Sequence, residues 1–124
     1  MRVLGFTTVL FFSATLYSNA SEPLAIAVSP VLSVAPANVV IRVSIAPDAA
    51  NRSLVVVTES DRYYRRSRVQ LDGQEAPRMI PMELRRLPGG EYEVRATLID
   101  GSGHPRALAH RLLVVRPPGG GESE

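Results

Sequence analysis

The chain has 124 residues and a net charge of +2, and all 14 of its basic residues are arginine. That length suffices for one domain, and so small a charge excess argues against bulk nucleic-acid binding. The absence of cysteine excludes disulfides, thiol catalysis, thiolate zinc sites, haem attachment and lipidation through cysteine.

In chain order, the first feature reads as a signal peptide over residues 1–20. Arg2 supplies the positive start, Val3 to Tyr17 form an apolar stretch, and Ser18 and Ala20 give the small-x-small pattern of a cleavage site. The apolar stretch falls short of the roughly 20 residues that span a bilayer. Cleavage near Ala20 is therefore expected, placing the mature chain in the periplasm or outside the cell with no stable membrane span. About a hundred residues then remain, enough to bury a core without metals or disulfides.

The mature chain, from residue 21 to 116, shows period-two alternation between turn residues, the pattern of half-buried strands. Leu24, Ile26 and Val28 alternate up to Pro30, and Val31 to Ala35 form a short extended piece closed by Pro36; these prolines suit edge strands. Val39, Ile41, Val43 and Ile45 put four branched side chains on one face. Leu54 to Thr58 is nearly continuous and β-branched, which predicts a central strand. Val69 and Leu71 alternate up to Asp72-Gly73, then Ile80, Met82 and Leu84 up to Leu87-Pro88-Gly89-Gly90. Tyr92, Val94, Ala96 and Leu98 form the next inward face, with Glu91, Glu93, Arg95 and Thr97 outward. Asp100-Gly101-Ser102-Gly103 predicts a hairpin loop. The last strand carries Leu108, Leu112 and Val114, and residues 117–124 read as a flexible Pro/Gly-rich tail. About seven strands, without helical periodicity or an internal repeat, predict an all-β antiparallel sandwich.

The run from Leu84 to Ala96 carries a resemblance. Leu87-Pro88-Gly89-Gly90-Glu91-Tyr92-Glu93-Val94 is similar to the corner before the sixth strand of bacterial immunoglobulin-like and fibronectin type III-like domains, and Pro36-Ala37 and Asn51-Arg52-Ser53-Leu54 also look like such modules. The resemblance covers most of residues 24 to 115. It implies an immunoglobulin-like sandwich with Leu87, Gly90 and Tyr92 as the structural corner, the Tyr92 ring buried and its hydroxyl bonded to nearby backbone. The cysteine pair and core tryptophan of antibody domains are missing.

Candidate sites are few. Asp61 to Arg68 is the densest polar segment, and strand parity groups Tyr64, Arg66 and Arg68 away from the face of Val69. Tyr64, Arg65, Arg66 and Arg68 are the expected binding residues, since arginines interleaved with tyrosine can bind sugars, phosphates or an acidic protein surface through forked hydrogen bonds and stacking. The competing reading is a solvated edge strand whose charge blocks edge-to-edge pairing, partly offset by Glu59, Asp61 and Glu75. His104 and His110 fall in a loop and mid-strand, so no metal site is expected, and no cofactor. Glu91 and Glu93 read as ordinary outward charges, and no serine sits in a nucleophile elbow. Asn51-Arg52-Ser53 matches a glycosylation sequon, a short match frequent by chance. The expected function is a non-enzymatic, exported module for protein binding, or a structural accessory, in the cell envelope. Its partner would be another envelope or extracellular protein, and no nucleic acid. The alternative is a carbohydrate- or polyanion-binding module using the same arginines.

Overall fold

The computed structural model describes residues 22–119, so residues 1–20, read from the sequence as a signal peptide, and residues 120–124 of the expected tail lie outside the described residues. Eight strands follow one another: β1 (Leu24–Ser29), β2 (Leu32–Val34), β3 (Ala37–Ile45), β4 (Ser53–Ser60), β5 (Tyr63–Gln70), β6 (Met79–Leu87), β7 (Gly90–Ile99) and β8 (Pro105–Arg116). A single 3-10 turn at Gly73–Glu75 is the one helical piece among the described residues. Gly73 adopts φ +58° there, and a Cβ at that position would stand 3.1 Å from the Ala49 carbonyl oxygen, so the turn requires glycine.

The strands form two sheets, one ordered β1-β3-β6 and the other β2-β8-β7-β4-β5. All pairings are antiparallel except that of β2 with β8. The strand count exceeds the expected seven because the chain changes sheets early. Pro30, which has no N–H to donate, follows the end of β1 on β3, and three residues of β2 then pair with the end of β8. This is an all-β sandwich of the predicted class.

The core follows from alternation. Val39, Ile41 and Val43 of β3 and Val94, Ala96 and Leu98 of β7 are fully buried, facing each other across the sandwich. In β8 the parity differs from what the sequence suggested. Leu113 and Val115 are each 1% exposed and join the core, whereas Leu108, Leu112 and Val114 face outward. Leu112-Leu113-Val114-Val115 is continuously apolar, so alternation has nothing to read there. The register with β7, which sets Leu113 opposite Tyr92, makes the choice.

Each end of the sandwich is tied by polar contacts. At one end Asn51 is fully buried, its amide donating to the Ala46 carbonyl at 3.0 Å and accepting from Arg106 at 2.6 Å. Both functional atoms of the sequon asparagine are thus committed inside the fold. Arg106 also meets Asp48 at 3.1 Å. At the other end Tyr92 is 1% exposed, donates its hydroxyl to the Pro88 carbonyl, and meets the Tyr63 ring edge-to-face with centroids 5.7 Å apart. Burial pushes the Tyr92 phenol up. Gly89 lets this corner approach the end of the last strand, since a Cβ there would lie 3.1 Å from the Pro117 backbone.

Candidate functional site

β5 is the outer strand of the five-stranded sheet and pairs only with β4. The register places Arg68 opposite Val55, Arg66 opposite Val57 and Tyr64 opposite Glu59, so these three side chains share the outer face. Val55 is nearly buried although it faces outward. The long stem of its cross-strand neighbour Arg68 is well placed to cover it, and the Arg68 guanidinium reaches the Ser53 hydroxyl at 3.3 Å. Arg65 has the opposite parity. It reaches across the open side of the sandwich to the Glu83 carbonyl of β6 at 3.5 Å. The four residues singled out from the sequence therefore divide, three on the sheet face and one spanning the gap between the two sheets.

That gap brings in residues the sequence reading did not select. β6 is the outer strand of the other sheet, and it carries a bulge where Arg85 and Arg86 together oppose Asn38. Arg86 sits at φ +58° and its N–H donates to the Asn38 side chain at 3.1 Å. Arg62, in the β4–β5 turn, lies on the same side. Edges of two sheets thus assemble one arginine-rich flank from segments more than a dozen residues apart, which no linear motif reveals.

Three of the carboxylates that could neutralise this flank, Glu59, Glu83 and Glu93, are engaged with other arginines, whereas Asp61 and Glu91 make no ion pair among the described residues. Glu59 bonds Arg95 at 2.6 Å and Glu93 bonds the same guanidinium at 2.9 Å. Those two bonds hold the Arg95 pKa above its ordinary value. Glu83 pairs with Arg85 at 3.1 Å. Among the described residues, no carboxylate comes within 4.0 Å of the guanidinium of Arg62, Arg65, Arg66, Arg68 or Arg86. The compensation expected from Glu59 is absent because Arg95 holds that carboxylate.

The opposite edge of the same sheet has a different chemistry. Leu108 is 73% and Leu112 66% exposed on the outer face of β8, and Leu32 and Val34 of β2 are more than half exposed beside them. His110 lies between the two leucines on that face, opposite Arg95 in register. His104 is in the preceding loop, its Nδ1 4.0 Å from Asp100. Backbone N–H groups of His104 and Ser102 donate to the Asp100 carboxylate and hold its pKa below the usual range. Among the described residues no three His, Asp or Glu side chains converge as metal ligands would.

The two-sheet arrangement, with the first strand divided between the sheets, defines an immunoglobulin-like β-sandwich. Solved structures bear this out at the level of the fold. A superoxide reductase (neelaredoxin) variant from Ignicoccus hospitalis superposes with a TM-score of 0.53 at 14% identity, over 82% of this chain and 86% of that one. The PKD domain of an M14-like peptidase from a Thermoplasmatales archaeon gives 0.51 at 13% identity, over 77% and 97%. Part of a family 76 glycoside hydrolase from a bovine Bacteroides thetaiotaomicron strain gives 0.56 at 12% identity, over 77% of this chain and 20% of the enzyme. No protein-family sequence pattern and no curated protein sequence matches the chain.

These likenesses correct one expectation. The sequence reading excluded an enzyme, yet the sandwich is also the fold of superoxide reductase, an enzyme. That exclusion rested on missing linear motifs. A sandwich brings together side chains from strands far apart in sequence, as the arginine flank illustrates, so linear motifs cannot decide the matter.

Proposed function

We propose that this chain is an exported module, akin to bacterial immunoglobulin-like and fibronectin type III-like domains, that binds an acidic protein surface in the cell envelope or outside the cell. The arginine flank is the contact surface: Tyr64, Arg66 and Arg68 on the sheet face, Arg65 at the gap, and Arg62 at the turn. The observation that carries the reading is that these arginines gather along one flank, on an edge strand and its turn, with no carboxylate partner among the described residues. Unpaired guanidinium groups keep their forked donors available for a partner's carboxylates. The leader pattern of residues 1–20 supports export. The exposed apolar strip on β8 and β2 favours a protein over a glycan, because apolar contact contributes to protein interfaces and little to the binding of a polyanion.

The test is affinity capture on the immobilised protein beside an Arg65→Ser, Arg66→Ser, Arg68→Ser variant, with acidic envelope proteins and heparin offered separately at low and high salt. Retention of an acidic protein by the native chain and its loss by the variant is the expected result. Heparin as the better-retained probe, released by modest salt, would replace this reading with the polyanion-binding one. Equal retention by both proteins would remove the arginine flank from the function.

A further inference from the structure

At the end of the sandwich where the arginine flank meets the Tyr92 corner lies a cleft of about 860 Å³, walled by Pro36, Pro88, Pro117 and Pro118 and bordered by Arg62 and Arg86. We infer that this cleft binds a short protein segment carrying both an acidic and a basic side chain, the acid held by Arg62 and Arg86. The inference rests on the reading of the arginine flank as a contact surface and names the chemistry of what it contacts at this end.

The backbone of Arg86 is the first ground. A bulge residue in the left-handed region is ordinarily glycine, because a Cβ there is strained. Here the position carries the longest cationic side chain, and the Asn38 side chain holds its N–H. Glycine would satisfy the bulge without strain, so what arginine adds is a cationic side chain on a residue that lines the cleft, a placement of the kind for which local strain is retained.

The walls are the second ground. Proline rings have fixed φ and no N–H, so four of them make a rigid apolar surface that loses little freedom when a chain segment lies against it. None of the lining residues is aromatic, which leaves a sugar ring no flat π face to stack on.

Charge makes the third. Arg62 and Arg86 have no carboxylate within 4.0 Å among the described residues, yet Asp61 and Glu91 border the same cleft. A uniformly anionic polymer would meet two carboxylates on entering. A segment with one acidic and one basic side chain can satisfy both signs, which is how charge arrangement selects a partner.

The experiment is an NMR titration of the purified protein with short synthetic peptides pairing glutamate with lysine at varied spacing, and with poly-glutamate and heparin as uniformly anionic controls. The mixed peptides are expected to shift the amides of Arg62, Arg86, Gly89 and Gly90. Arg86→Gly is expected to weaken that binding at least about tenfold, the effect of losing one charge-assisted hydrogen bond, while its thermal midpoint stays equal or rises as strain is relieved. Arg86→Lys keeps the charge and retains part of the affinity. Should Arg86→Gly not fold, Arg62→Ser gives the same reading without touching the bulge. The inference is overturned if the mixed peptides leave those amides unmoved. Unchanged affinity in Arg86→Gly or Arg62→Ser, or tighter binding of poly-glutamate or heparin at the same amides, also overturns it. An Arg66→Ser, Arg68→Ser variant separates the two readings: lost retention of the acidic partner there, with the cleft silent, ends this inference and leaves the proposed function standing.

Discussion

The two edges of the five-stranded sheet solve the same problem in opposite ways. Both β5 and β8 leave backbone groups that could recruit a foreign strand. On β5 the outer face carries Tyr64, Arg66 and Arg68, and the strand is charged along its length. On β8 the outer face carries Leu108, His110 and Leu112, and the short β2 covers the strand only at Val114 to Arg116. Arginine on β5 discourages strand addition at little cost in folding energy while keeping donors available. On β8 the apolar side chains are exposed although an apolar core lies on the strand's other face. Exposure there is a matter of parity: one residue along, Leu113 is buried against Tyr92. Charge, then, can protect and recruit at the same edge, whereas apolar exposure on a folded sandwich lacks any stabilising role within the domain.

The sharpest test compares the two faces of β8. Leu113→Ala should cost about 2–5 kcal/mol, the range for truncating a buried leucine. Leu112→Ala should change stability by less than about 0.5 kcal/mol, as at an exposed site. Urea unfolding of the two variants measures both, and similar losses would mean that the β8 face assignment is wrong.

A smaller effect is expected at the corner, where the flank meets the end of β8. Tyr92→Phe keeps the buried ring and the contact with Tyr63 but removes the hydroxyl that bonds Pro88. The expected loss is about 1 kcal/mol, one net hydrogen bond, read from the shift in denaturation midpoint. Stability indistinguishable from the native chain would show that this bond does not hold the corner.

On β5 the Arg65→Ser, Arg66→Ser, Arg68→Ser variant should unfold within about 1 kcal/mol of the native protein, most of that loss coming from the Arg68 stem over Val55. Its edge, stripped of charge, should associate more readily on concentration, as light scattering would show. A large loss of stability would make the arginines structural and erase the contrast between the edges.

The smallest effect concerns acid. Asp48 is held below its ordinary pKa by the Ala50 N–H and by Arg106, and Asp100 by the N–H groups of His104 and Ser102. A depressed folded pKa gives stability that is present above the unfolded value and is lost as pH falls through the folded one. Unfolding midpoints should therefore hold steady near neutrality and decline below about pH 4. Asp48→Asn should flatten part of that decline, and an unaltered acid limb in this variant would remove Asp48 from it.

Much of the fold was legible because alternation is local. Val39, Ile41, Val43 and Ile45 and the run from Tyr92 to Leu98 each declare a buried face with no knowledge of their partners, and Leu54 to Thr58 reads as central because it is apolar on both sides. Where the signal is uniform the sequence is mute, as in Leu112 to Val115; the short extended piece at Val31 to Ala35 was legible, but not that it leaves the sheet of β1 to pair with β8. The parity of Tyr64, Arg66 and Arg68 was also readable, being a property of one strand. Their lack of carboxylate partners was not.

The sequence by itself determined the all-β class, the turn positions and the inward faces of most strands, because these depend on steric preferences and periodicity within a few residues. Tertiary structure alone decided which carboxylates Arg95 would take from the flank, which face of β8 would stay apolar and exposed, and that Arg62 and Arg86 would border one cleft. Each of those outcomes depends on which strand lies beside which, and that is settled by pairing and packing across the whole sandwich rather than by any local run of residues.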